Sequence, residues 1–341
     1  MRSFEKGKVS IVTPCFNGGR FLDHYFDSIC NQTYNTIELI FINDGSTDNS
    51  EEICFSWKPR IEKRGYTFVY ISQNRCKGAP SAINRGLPYV TGEFLIWPDC
   101  DDTLMPASIG KRVDFLNLHP DYALVRSDYV EVNEASPHII NKRGSDWADI
   151  KNEDVFDNLI FDKTYVSPGT YMVRSSVFFD RVPRGEIYVN KGRGGQNWPI
   201  LLACSYRNKC GYIDEPLYKY FIRPDSVSHR VEGDEYSSHK NRTYIRQDIL
   251  TNVINDLDLV SENEKSDYQK RIDILYSLKR FRIALFFNKS GDVKAEMQIL
   301  KDMKVNPGIQ PKILCHLCNL GLSGFYLKGC TLIDGFISKI R

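Results

Sequence analysis

Long apolar runs are missing from this 341-residue chain, and so is any excess of one charge. No stretch approaches the about 18 apolar residues that a membrane span needs, so no transmembrane helix is expected. The formal net charge is only +2, which excludes the strongly basic footprint of a nucleic-acid partner. Histidines are few, 6 in all, and scattered. The ten cysteines (15, 30, 54, 76, 100, 204, 210, 315, 318, 330) fall mostly one per expected element, a spacing that argues for reduced, intracellular thiols and against a disulfide framework. Cys315-His316-Leu317-Cys318 is the one close pair. It has no second pair at metal-ligand spacing and reads as buried helix cysteines rather than a zinc site. Met1-Arg2-Ser3-Phe4-Glu5-Lys6 has no apolar core behind it, so no secretory signal is expected and the cytoplasm is the expected location. Internal repeats and low-complexity segments are also lacking.

What is present is patterned. A hydrophobic fraction of 42% supports a sizeable core, and the length suits one large domain with a smaller appendage. Val9-Ser10-Ile11-Val12-Thr13 has the β-branched enrichment of a strand and is ended by Pro14 ahead of Gly18-Gly19. Phe21, Leu22, Tyr25, Phe26 and Ile29 then recur at helical spacing and should pack on a sheet. Ile37-Glu38-Leu39-Ile40-Phe41-Ile42 is nearly all apolar, as a strand covered on both faces would be, and runs into Asn43-Asp44-Gly45-Ser46-Thr47-Asp48. Asp48, with Glu51 three residues later, reads as a capping box opening the next helix. Asp44 has no such duty and is either a turn residue or a ligand contact. Strands at 67–71 and 93–97 and a helix core at 81–87 complete a β-α-β-α-β-α-β order. That order predicts a parallel sheet whose ligands sit beyond the carboxyl ends of the strands. A helix to about 118 and a strand over 122–132, with a polar interruption at Arg126-Ser127-Asp128, follow.

From 136 to 230 prolines at 137, 168, 183, 199, 216 and 224 break the pattern into short pieces, read as a substrate-shaping half. Two parts stand out there: Arg193-Gly194-Gly195-Gln196-Asn197-Trp198 opening an apolar helix, and the segment from Phe221 to Arg230 after a strand. From Tyr236 onward helical periodicity, including 268–287 and 295–303, marks a helical appendage that could serve as an oligomer surface. Its last part, 313–340, combines an apolar set with Lys328 and Lys339, followed by Arg341. Packing on the main domain is the preferred reading; peripheral contact with the inner face of a membrane is the other.

The stretch Glu93-Phe94-Leu95-Ile96-Trp97-Pro98-Asp99-Cys100-Asp101-Asp102 delivers three carboxylates at the end of an apolar strand. Crowded together they would repel, and a divalent ion bridged to an anionic ligand relieves that cost. Hard oxygen donors suit Mg²⁺ or Mn²⁺. A lone Asp would read as a turn or cap, but the triplet after a strand points to a site. The segments 13–19, Asp44, Gln73-Asn74 and 99–102 all follow strands, so four loops converge on one crevice.

Val9-Ser10-Ile11-Val12-Thr13-Pro14-Cys15-Phe16-Asn17, Asn43-Asp44-Gly45-Ser46-Thr47-Asp48 and Asp99-Cys100-Asp101-Asp102, in this order, resemble the motifs of family 2 glycosyltransferases of the GT-A fold. The likeness covers roughly residues 8 to 230. It implies an α/β architecture, a Rossmann-like and mainly parallel sheet flanked by helices. The expected division is a domain over 1–232, with a nucleotide-binding half at 8–105 and an acceptor half at 106–232, and a helical C-terminal region at 233–341. It also implies a nucleotide-diphosphate-sugar donor such as a UDP-sugar, a divalent metal, and inverting transfer to a saccharide or lipid-linked saccharide in polysaccharide biosynthesis.

Carried over residue by residue, Thr13, Pro14, Phe16 and Asn17 would line the nucleoside pocket, and Asp44 would accept from the imide N–H of uracil. Asn74 and Asn84 would shape the donor pocket. Asp99, with Cys100 beside it, would face the ribose or a metal-bound water; Asp101 would coordinate the metal, with His229 as a third ligand or diphosphate contact. Asp102 would aid the acceptor side or cap a helix. Many members carry an acidic pair before the tryptophan of the acceptor helix, whereas this chain has Gln196-Asn197-Trp198. An amide cannot take a proton, so these three are expected as acceptor-site residues, with the base supplied by another carboxylate such as Asp102 or Glu186. A Gly-Gly-Gln-Asn-Trp segment is similar to that of some bacterial surface-polysaccharide members, which implies a functional variant. Two rivals stand beside this reading. One is a sugar nucleotidyltransferase, which the first loop argues against because it lacks a Gly-rich phosphate cradle with a basic residue. The other is a non-catalytic nucleotide-sugar-binding module.

Overall fold

Strand and helix alternate through the first hundred residues of the computed structural model, which describes residues 2–74, 76–182, 185–190, 194–223 and 233–305. Two units are distinguished, Met1–Ser226 and Val227–Arg341. The first opens with β1 (Glu5–Cys15), α1 (Gly19–Cys30), β2 (Ile37–Asn43), α2 (Ser50–Lys63), β3 (Thr67–Ser72), α3 (Ala79–Gly86) and β4 (Gly92–Ile96). β2 is buried along its whole length, as its unbroken apolar run requires between two helical layers. Register fixes where these strands end. Parallel pairing matches Cys15 with Asn43, Asn43 with Ser72 and Ile11 with Ile96, so the loops that follow emerge along one edge.

Beyond β4 come β5 (Thr103–Leu104), α4 (Ser108–Leu118), β6 (Tyr122–Asn133), β7 (Ser136–Arg143), α5 (Phe156–Ile160), β8 (Tyr171–Arg174), α6 (Ser175–Arg181), α7 (Asn197–Ser205) and β9 (Lys209–Ile222). The sheet runs β3-β2-β1-β4-β8-β6-β9-β5, with β7 on β6. The helix-flanked α/β sheet expected from the sequence is therefore present. It is parallel from β1 to β4 and between β6 and β9, while β8, β7 and β5 pair antiparallel to their neighbours.

The polar triplet expected to interrupt β6 does not do so. Arg126, Ser127 and Asp128 are buried within the strand because each finds partners. Arg126 donates to the Thr164 hydroxyl and to the carbonyls of Asp149 at 2.7 Å and Asn152 at 3.2 Å. Asp128 accepts from the backbone and hydroxyl of Ser145 at 2.9 and 2.8 Å. At the amino end of the sheet, buried Glu38 accepts from the Ser10 hydroxyl, from the Thr91 amide and hydroxyl at 2.6 Å each, and from Gly92 N–H at 3.1 Å. This bridges β1, β2 and the start of β4.

Asp48 does not form the expected capping box. α2 starts two residues later, and the Asp48 carboxylate accepts from Ser50 N–H at 3.1 Å and Gly19 N–H at 2.9 Å, tying the starts of α1 and α2 together. Glu51 is drawn away, accepting from the Tyr70 hydroxyl at 2.9 Å.

The second unit contains α8 (Glu235–Asp256), α9 (Glu262–Phe286) and α10 (Ser290–Asp302). Asp234 caps α8 by accepting from Ser237 N–H, and Ser261 with Glu264 forms a capping box on α9. Arg280 of α9 donates to Glu296 of α10 at 2.8 Å and to Gln247 of α8 at 2.6 Å, a buried polar junction joining all three helices. Among the described residues no helix is long and apolar enough to cross a membrane. The tail from 306, including the Cys315 and Cys318 pair, lies outside the described residues.

Candidate functional site

The loops at the carboxyl edge are laced to one another. Asn17 adopts a left-handed φ of 51°; its N–H donates to the Ser46 hydroxyl at 3.0 Å, and its side-chain oxygen accepts from Thr47 N–H at 2.8 Å. The loop after β1 is thereby fixed to the loop after β2. Phe16 at its crest keeps 48% of its surface exposed. Thr13 and Pro14 are buried, and the Thr13 hydroxyl pairs with that of Tyr25, which leaves backbone groups as what these two residues could offer the nucleoside pocket expected here. Gly18 brings this loop onto the acidic turn: a Cβ there would lie 2.8 and 3.0 Å from the sulfurs of Cys15 and Cys100.

Asp44, expected to accept from the base, is also bound by the loop after β3. Only 2% exposed, its carboxylate accepts from the Gln73 side chain at 2.8 Å, Lys77 N–H at 3.1 Å and Gly78 N–H at 2.8 Å. Three donors from the loop after β3 hold the carboxylate in place, and its two oxygens, with about four acceptor sites between them, keep room for one more donor. Asp44 thus builds the wall of the pocket by clamping that loop. Asn74, on the same loop, is exposed.

Asp99, Asp101 and Asp102 follow β4 with one ligand oxygen from each lying within 4.8 Å of the others. Burial, reinforced by the Asp101 charge, pushes the Asp99 carboxyl up to about 8; burial also raises Asp101, against the pull of Arg223, and Asp102. Three crowded carboxylates resisting ionisation are a donor set that fits a hard divalent ion. They are not equivalent. Asp102 is 1% exposed and accepts from the Tyr218 hydroxyl at 2.7 Å and Phe221 N–H at 2.9 Å. Each of its oxygens accepts from β9, which ties this carboxylate, one of the two candidates for the base, to the sheet; α4 begins only at Ser108, so Asp102 does not cap it. Asp99 and Asp101 remain half-buried.

The Gln196-Asn197-Trp198 segment does open α7, and all nine residues of that helix are buried. Gln196 donates to Asp99 at 3.3 Å. The Asn197 side-chain oxygen accepts from the Trp97 indole at 2.8 Å, and the Trp198 indole reaches the Leu159 carbonyl at 3.4 Å. Trp198 is thus a core anchor, while Gln196 touches the acidic turn. Asn84 is a tether: its amide donates to the Ile187 carbonyl at 2.9 Å and accepts from Ile187 N–H at 2.7 Å, holding the exposed neighbour Glu186 in place. His229 lies outside the described residues.

Arg223 carries no role that its place between Phe221 and Arg230 announces, and Phe21 was expected on the sheet-facing stripe. In the structure Phe21 is only half-buried, because the stripe's edge meets two cations: the guanidinium carbons of Arg20 and Arg223 each lie 4.4 Å from its ring centre. Arg223 also donates to the Asp101 backbone carbonyl at 2.8 Å and to its carboxylate. No local pattern announces a pairing across that separation in the chain.

Comparison with known proteins follows the same line. A family model described as glycosyl transferase family 2 matches residues 10–181. An uncharacterized glycosyltransferase, YibD, of Escherichia coli K12 is 35% identical over 259 residues, 73% of this chain and 71% of that protein. The chain spans only about a third of other relatives, 32% of a Rickettsia typhi glycosyltransferase and 31% of Streptococcus pneumoniae GlyA. Among solved structures, S. aureus TarS 1–349 in complex with UDP-GlcNAc superimposes with a TM-score of 0.60 at 16% identity, covering 94% of this chain and 89% of TarS. The mannosyltransferase PcManGT from Pyrobaculum calidifontis, in complex with GDP-Man and Mn²⁺, gives 0.57 at 14% identity, covering 98% and 84%. These two share the fold.

Proposed function

Since the chain belongs to glycosyl transferase family 2, we propose that it moves a sugar from a nucleotide-diphosphate donor, a UDP-sugar in the first instance, to a saccharide or lipid-linked saccharide of a growing polysaccharide. The observation that carries this reading is a shared edge: the exposed ring of Phe16 and the carboxylates of Asp99 and Asp101 follow neighbouring strands of one sheet. A flat aromatic face suits a base, and an acidic pair suits the cation that accompanies a diphosphate. The TarS complex with UDP-GlcNAc and the PcManGT complex with GDP-Man and Mn²⁺ support such a donor and such an ion on this fold. Family membership argues against the nucleotidyltransferase alternative.

Asp101 and Asp99 would hold the divalent ion, which when bound supplies a Lewis acid that offsets charge growing on the departing diphosphate. The chain's own contribution is placement. The bond from Gln196 fixes Asp99 and those from Arg223 fix Asp101 before any ligand arrives. Asp44 holds the loop after β3 as the far wall. An acceptor oxygen attacking opposite the diphosphate would invert the anomeric carbon and must lose its proton to a base. With Asp102 committed to Tyr218 and Phe221, we assign that base to Glu186, exposed beside the Asn84 tether. A lipid-linked acceptor would bring the reaction to the inner face of a membrane, where the basic tail beyond 313 is the segment to test.

Purified protein incubated with a panel of UDP-sugars and Mn²⁺ should release UDP with one of them, and EDTA should stop the release. Metal-dependent UDP binding without release, whatever the acceptor, would instead favour a non-catalytic module, the reading to which the amides of Gln196 and Asn197 lend support.

A further inference from the structure

Arg223 directly follows β9 with 3% of its surface exposed, its guanidinium against the Phe21 ring and its two terminal nitrogens on the carbonyl and carboxylate of Asp101. The side chain to which the preceding section gives the metal is thus already neutralised by a fixed cation of the protein. Arg20, on the same ring, adds a second positive charge felt by Asp101. To yield Asp101 to a metal, the guanidinium has to be given another anion.

We propose that Arg223 is a positioning residue and built-in counter-cation that makes metal capture conditional on the donor. A divalent ion arriving alone must compete with the guanidinium for Asp101 and meets its repulsion at close range. A diphosphate offers the guanidinium fork two new oxygens and frees Asp101 for the ion. Metal and nucleotide then each raise the other's affinity by the same factor, because coupling between two sites is reciprocal. The inference rests on the reading of Asp101 as a metal ligand, and it adds a sign that this reading lacks: removing the arginine should improve binding of the metal alone.

The test measures Mn²⁺ binding by the electron paramagnetic resonance of free Mn²⁺, and UDP binding by calorimetry, on the full chain and on R223M and R223K. Methionine keeps an apolar stem on Phe21 and removes the charge. R223M should bind Mn²⁺ alone about tenfold more tightly than the parent and bind UDP in the presence of Mn²⁺ about tenfold more weakly, the size of one lost charge-assisted contact. R223K, which keeps the charge but not the fork, should restore part of the coupling. If R223M does not give a native circular dichroism spectrum, R223K must show the same signs at smaller size. A parent chain that binds UDP in a Mn²⁺-dependent way, with variants whose affinity for Mn²⁺ alone is unchanged or lower, overturns this inference and leaves the functional reading standing. A parent chain without metal-dependent UDP binding overturns both.

Discussion

Opposite ends of the parallel strands carry acids that live in different company, Glu38 buried and Asp99 and Asp101 half-buried. Glu38, at the amino end, meets the Ser10 hydroxyl, the amide and hydroxyl of Thr91 and Gly92 N–H, with the Lys8 ammonium 3.6 Å away. At the carboxyl end Asp99 meets one amide at 3.3 Å among the described residues, and Asp101 shares a carboxylate contact with Arg223. A buried carboxylate surrounded by donors has become part of the scaffold. One short of donors and crowded by its own kind is held in readiness for a charge from outside.

The contrast can be broken by removing one negative charge at each end. Asp101→Asn should lower sugar transfer by a factor on the order of a hundred or more and weaken Mn²⁺-dependent UDP binding; the repulsion it relieves beside Asp99 offsets part of the lost Arg223 pair, so its urea midpoint should fall less than that of Glu38→Gln. Glu38→Gln should do the reverse: unfolding in urea should show a loss of about 3 kcal/mol, the cost of breaking a buried charge network, with UDP affinity of the folded protein unchanged. A stable Glu38→Gln beside an unstable Asp101→Asn would invert the comparison. Asp44 lies between these extremes, a donor-rich carboxylate at the functional edge. Asp44→Asn should raise the Kd for UDP about tenfold by loosening the loop at Lys77 and Gly78, with kcat altered less. The smallest effect is expected for Phe16→Ala, which should weaken UDP by about 1 kcal/mol through lost stacking and leave the thermal midpoint in place, because the ring is already half in water.

The elements were legible wherever a local pattern carries them. β2 is an unbroken apolar run with turn residues at its end, and the acidic turn is contiguous in sequence, so both the sheet edge and its charge could be read directly. What was hidden lies between distant residues. Asn84 finds Ile187 103 positions on, Asp102 finds Tyr218 116 positions on, and Arg223 returns to Asp101 from 122 positions away. Each of these pairings adds a contact that the sequence does not announce: Asn84 ties α3 to Ile187, Asp102 is anchored to β9, and Arg223, which had no role, meets Asp101. Arg126 and Phe21 failed for a related reason. Polarity reads as a break and helical spacing as a buried face only until a partner from another element is known. Asp44 is a similar case, its carboxylate held by a loop some thirty residues further along the chain.

The most direct measurement is diffraction at the manganese absorption edge from crystals of the chain grown with UDP and Mn²⁺. It should show one anomalous peak within bonding reach of the Asp101 carboxylate and of the diphosphate, with the uracil against Phe16. Bound UDP with no peak at that edge, or a peak held by other residues while Asp101 stays on Arg223, would contradict the assignment.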